Sequence, residues 1–91
     1  MSQTEKPKVL ISLLEELLIT TDKSDIGEII YKITLETNRI KFYEIKNFSG
    51  LILKRFCHLV IMNYVSSSQS SESVEDINEL ILTLEYSLIF N

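Results

Sequence analysis

The sequence predicts an all-α protein, an antiparallel four-helix bundle, on three observations. Apolar residues recur at steps of three and four in four separate stretches, only two Gly and one Pro occur among 91 residues, and the polar segments between the stretches are short. Stripes at that spacing are what amphipathic helices turn toward a shared core. Hairpins would need turn residues every ~8–12 positions, and this chain does not supply them. Four such helices with short connections pack antiparallel around one core.

The elements follow in order. Residues 1–7 form a polar leader that contains Pro7. From Val9 to Ile19, Leu10, Leu13, Leu14, Leu17 and Leu18 form an apolar stripe, with Glu15 and Glu16 on the other side. Lys6 and Lys8 stand at the positive end of that helix's dipole, which weakens its first turn. Thr20, Thr21, Asp22 and Ser24 supply side-chain oxygens that can cap a second helix. That helix is expected over Asp25 to Ile40, with Ile26, Ile29, Ile30, Ile33, Thr37 and Ile40 buried and Asp25 and Glu28 favouring its dipole. Gly27 inside it is a weak helix former, and close approach of a neighbouring helix would explain it. A bend or connection is expected over Lys41 to Asn47.

The third helix, expected over Gly50 to Val65 after a cap at Asn47 or Ser49, is apolar on almost every face, which predicts a central position in the bundle. Its β-branched end is also compatible with a strand. Lys54, Arg55 and His58 interrupt it, and it is too short to span a bilayer, which takes ~20 apolar residues. Residues 66–73 read as an exposed Ser-rich linker. Ser73-Val74-Glu75-Asp76 then fits a capping box, and Ile77, Leu80, Ile81, Leu84 and Leu88 form the stripe of a fourth helix.

Composition limits function. One domain accounts for all 91 residues, and 45% hydrophobic content is enough for a core. A net charge of −4 speaks against a general nucleic-acid binder, whose phosphate contacts need clustered cations. The charges are nevertheless unevenly placed. Between Glu28 and His58, Lys32, Arg39, Lys41, Lys46, Lys54 and Arg55 stand against Glu28, Glu36 and Glu44, an excess of three positive charges.

No catalytic, cofactor-binding or metal-binding site is expected. His58 is the only histidine and has no ligand partners at zinc spacing; it is expected partly buried on the third helix. Cys57 is the only cysteine, so it has no intramolecular disulfide partner, and an apolar helix keeps its thiol protonated. The neighbouring acids Glu15–Glu16 and Glu75–Asp76 point about 100° apart on a helix and do not converge. The polar start lacks the pattern of a secretory signal, so a reducing cytoplasm is expected. The apolar end, with Tyr86, Leu88, Ile89 and Phe90, is expected to tuck onto the bundle, with presentation to a partner as the alternative.

The order of these features resembles the immunity proteins of the pediocin-like (class IIa) bacteriocins, the enterocin A immunity group. Leu14-Glu15-Glu16-Leu17-Leu18-Ile19, a short polar turn, and Ser24-Asp25-Ile26-Gly27-Glu28-Ile29-Ile30-Tyr31-Lys32 look like that family's first helix, turn and second helix. Leu51-Ile52-Leu53-Lys54-Arg55-Phe56 through Tyr64 sits where its third helix would lie, and Ser73 to Leu84 where its fourth begins. The likeness spans about Val9 to Leu88, and the chain ends at Asn91, short of the extended C-terminal segment that many members carry.

The resemblance implies self-protection of a producing cell, by binding rather than catalysis. The protein would act from the cytoplasm, in part at the membrane, on a complex of the bacteriocin with the mannose phosphotransferase permease. Lys41, Lys46, Tyr86 and Phe90 are its candidate contacts. A small regulatory or adaptor bundle that binds another soluble protein is the alternative, and a weak homodimer through the same apolar stripe is a further expectation.

Overall fold

The computed structural model describes residues 4–5, 7–40, 44–45, 48–86 and 89–90. Four helices account for most of them: α1 (Lys8–Ile19), α2 (Lys23–Ile40), α3 (Gly50–Ser66) and α4 (Ser71–Glu85). Each packs against its sequence neighbours, and α4 returns to α1, so the helices form a closed ring about one core. The expected all-α antiparallel bundle is the observed fold. At the end where α1 and α3 begin, residue pairs β1 (Thr4–Glu5), β2 (Glu44–Ile45), β3 (Phe48–Ser49) and β4 (Ile89–Phe90) form an antiparallel ladder in the order β1-β4-β2-β3. At two residues per strand it decorates the bundle without changing its class.

The core is assembled from one stripe per helix. On α1, Leu10, Leu13, Leu14 and Leu17 are buried as expected, together with Ile11, while Leu18 packs partly buried at the edge. On α2, Ile26, Ile29, Ile33 and Thr37 are buried and Ile30 lies at the edge; the side chain of Ile40 is outside the described residues. On α4, Ile77, Leu80 and Leu84 are buried, with Ile81 beside them. These are three- and four-residue steps along each helix, so a helical period is enough to pick them out.

α3 departs from expectation. Cys57, Val60, Ile61 and Tyr64 face the core, but Phe56, Leu59, Met62 and Val65 are exposed, so the helix is not central. The reason is topological: a ring of four helices has no middle, and each member buries one stripe whatever the rest of its surface carries. His58 is exposed rather than partly buried. The β-branched end is helical through Ser66, not a strand.

Local chemistry sets the helix ends. Pro7 precedes α1 without a side-chain cap, and no acid lies in the first turn, in keeping with a weak start. Asp22 Oδ1 accepts hydrogen bonds from the N–H groups of Ser24 (2.8 Å) and Asp25 (3.3 Å), so α2 starts at Lys23, two residues before the expected Asp25. At the end of α3, the N–H of Gln69 donates to the Tyr64 carbonyl (2.9 Å) and that of Ser68 to the Val65 carbonyl (3.2 Å), the two bonds of a Schellman motif. Ser68 takes the left-handed position there, at φ 55°.

That reversal is tight enough for α4 to begin at Ser71. The expected linker over 66–73 is therefore only the four residues 67–70, and the expected cap at Ser73 is replaced by Ser70, whose Oγ accepts from the Ser73 N–H (3.3 Å). Ser73 instead lies buried in the first turn, its hydroxyl donating to the Ser70 carbonyl (2.8 Å).

Gly27 has no neighbouring heavy atom within 4 Å of where a Cβ would stand, so close helix approach does not explain it. Its helical backbone is open to alanine. Gly27→Ala is expected to raise stability by roughly 0.5–1 kcal/mol through helix propensity and a less flexible unfolded chain. Urea unfolding followed by circular dichroism measures this, and a loss of stability would point to a constraint at that position other than packing.

Candidate partner-binding groove

The exposed apolar surface of α3 continues into a groove between α2 and α3, with a volume of about 580 Å³. Ile30, Ile33, Thr34 and Thr37 line it from α2; Cys57, Leu59, Ile61 and Met62 line it from α3. α2 ends and α3 begins at the same end of the bundle. Helical rise therefore sets Thr37 level with Lys54, and Ile30 level with Met62. Lys54 and Arg55 occupy the first of these ends and His58 lies midway along the α3 wall, so one end of the groove is basic and the other apolar.

The floor asks for no polar partner. Thr34 Oγ1 donates to the Ile30 carbonyl (3.0 Å) and Thr37 Oγ1 to the Thr34 carbonyl (3.0 Å), so both hydroxyls are satisfied within their own helix. Among the described residues no buried side-chain polar atom lacks a hydrogen-bond partner. Cys57 lies at the base, 1% exposed, and burial pushes its thiol up to about 12. A thiol in that state is not a nucleophile at neutral pH. Nearby, Tyr64 is buried with its hydroxyl 3.5 Å from the Leu17 carbonyl, a long contact that links α3 to the last turn of α1; desolvation raises the pKa of its phenol.

Of the contacts expected from the sequence, the structure describes Tyr86 and the backbone of Phe90. Tyr86 caps the C-terminus of α4 and is 80% exposed, so it is presented to solvent and not tucked onto the bundle. Phe90 belongs to β4, where it is paired by backbone register with Thr4 and Glu44. Lys41 and Lys46 lie outside the described residues. Tyr86 does not line the groove. Of the basic middle segment, Arg39 is engaged with Glu36 at 3.1 Å on α2, whereas Lys54 and Arg55 are the cations at the groove.

Sequence reasoning missed Leu59 and Met62 as surface residues. The signal was present: a helix apolar all round, in a four-helix bundle, must expose apolar surface, and where it meets its neighbour that surface makes a groove. Among the described residues no cluster of His, Cys, Asp and Glu suits a metal ion, and no helix is long and apolar enough to cross a membrane. Compared with known proteins, the chain matches no family model, no curated protein and no solved structure.

Proposed function

We propose that this protein is a bacteriocin immunity protein, which protects a producing cell by binding the complex of bacteriocin and membrane receptor from the cytoplasmic side. The observation that carries the reading is the α2–α3 groove with the exposed Leu59 and Met62 on its wall, an apolar surface of the kind that soluble proteins keep for partners. The four-helix bundle is also the fold that the resemblance to the enterocin A immunity group implies. The mechanism is occupancy: a bound bundle occludes the pore on its inner side, and no bond is made or broken. Tyr86, exposed at the end of α4, is a candidate contact, and Lys41, Lys46 and Phe90 are candidates from the sequence.

The test is survival of a sensitive Gram-positive strain that expresses the chain, challenged with a panel of pediocin-like bacteriocins. Protection against one or a few peptides is the expected result and identifies the cognate one. Absence of protection with expression verified would overturn immunity and leave a regulatory or adaptor bundle that binds a soluble protein through the same groove.

A further inference from the structure

The groove's dimensions and charge define its occupant more narrowly. We infer that the α2–α3 groove receives one amphipathic helix of a protein partner, with apolar anchors at i, i+3 or i+4, and i+7 and acidic residues at the end that meets Lys54 and Arg55. The inference rests on the reading that the protein acts by binding, and adds the chemistry of what is bound.

Length is the first argument. Ile30 to Thr37 on one wall covers seven residue steps and Lys54 to Met62 on the other covers eight. At 1.5 Å per residue that is about 10.5 to 12 Å, enough for an i to i+7 stripe. Two parallel walls of that length match two turns of helix, the geometry by which amphipathic helices lie in apolar grooves. A strand of the same span would need backbone partners along its edge. The groove wall has none to give, because the backbone of α2 and α3 is engaged in its own helices and the threonine hydroxyls are too.

Charge is the second argument. Among the described residues, the charged ones lining the groove are Lys54 and Arg55, with His58 further along the same wall and no carboxylate, in a chain whose net charge is −4. Acids gather instead on α4, where Glu72, Glu75, Asp76 and Glu79 follow one another. A basic rim on an acidic protein steers an acidic ligand toward one face and repels it from the others. The arrangement also sets direction, since only one end of the groove is basic. A lipid surface is a poorer match, because it meets protruding apolar side chains better than a concave wall.

The experiment uses two labelled model peptides of the same length. Each carries leucines at i, i+3, i+4 and i+7; glutamates flank them in one and lysines in the other. Fluorescence anisotropy against the full chain is expected to show the glutamate peptide binding at least about tenfold more tightly, a difference worth ~1.4 kcal/mol, and added salt is expected to narrow it. Amide chemical-shift changes are expected over 30–37 and 54–62. Leu59→Asp, at a site 66% exposed, is expected to keep the fold and reduce binding at least tenfold, and Arg55→Glu, which leaves Lys54 opposed by one carboxylate, to abolish the peptide preference.

Equal binding of the two peptides, shifts confined to α1 and α4, or no binding would overturn the inference. So would self-association that Leu59→Asp abolishes, which would make a second copy the occupant. Retention on anionic phosphatidylglycerol vesicles with no peptide preference would overturn it in favour of a lipid surface. The immunity reading fails separately: absence of protection with expression verified overturns it whatever the peptides do, whereas equal protection by wild-type protein and Leu59→Asp would keep immunity and show that it does not pass through the groove.

Discussion

Leu80→Asp is expected to unfold the domain. Leu80 is 0% exposed at the centre of the α4 stripe, where it packs in the same core as Leu14 and Leu17 of α1. The substitution removes a buried leucine side chain, at about 2–5 kcal/mol for truncation alone, and leaves a carboxylate with no cation in an apolar core, at several kcal/mol more. A domain of this length has roughly 5–14 kcal/mol of total stability, so the two terms together consume most or all of it. Leu17→Asp should behave alike. Leu59→Asp puts the same chemistry on the exposed side of α3 and is expected to stay within about 0.5 kcal/mol of wild type. Circular dichroism at room temperature separates the cases. A folded, cooperative Leu80→Asp protein would show that the ring of stripes is not the core.

The Cys57 thiol is expected to react about a thousandfold more slowly in the folded protein than in the unfolded chain near pH 8. Desolvation raises its pKa from 9.0 to about 12, so the thiolate fraction near that pH falls from about a tenth to about one part in ten thousand. Labelling with a thiol reagent, with and without concentrated urea, measures the ratio. Comparable rates would mean that the base of the groove is open to solvent.

The same shift predicts alkaline lability. The folded state holds the proton more tightly than the unfolded one between pH 9.0 and about 12, so stability is unaffected below this window and falls as pH rises through it. The slope is at most roughly 1.4 kcal/mol per pH unit. Tyr64, raised from 10.0 by burial, contributes with the same sign at higher pH. Cys57→Ala is expected to remove the part of the fall that begins near pH 9, and an unchanged profile would assign it to Tyr64.

What could be read in the sequence was the periodic part. Leu10 to Leu17, Ile26 to Ile33 and Ile77 to Leu84 each announce a buried face, because a helix that buries one stripe leaves polar residues on the other. α3 could not be read in this way. Its apolar residues surround the axis, so period alone does not say which of Phe56, Cys57, Leu59 and Ile61 faces inward; only the ring arrangement decides. The groove was hidden for the same reason, since its walls come from two helices and its floor from residues that look like core. The cap of α4 was misplaced because Ser70 and Ser73 carry the same hydroxyl, and the choice between them depends on how sharply α3 ends. That end is a two-bond motif with Ser68 in a backbone conformation that serine rarely adopts.

The ring also has a kinetic meaning. Three of its four helix–helix seams join consecutive helices, and two of those seams are closed by connections of three and four residues. Such hairpins can form early, because short loops lose little entropy on closing. Only the α1–α4 seam joins distant parts of the chain, so it forms once the other helices have brought its halves together. A topology dominated by sequence-local pairings belongs to the class that folds in microseconds to milliseconds. The exposed apolar residues of α3 therefore face solvent for only a brief interval in the company of an unformed core, and a nascent chain has little time to aggregate through them.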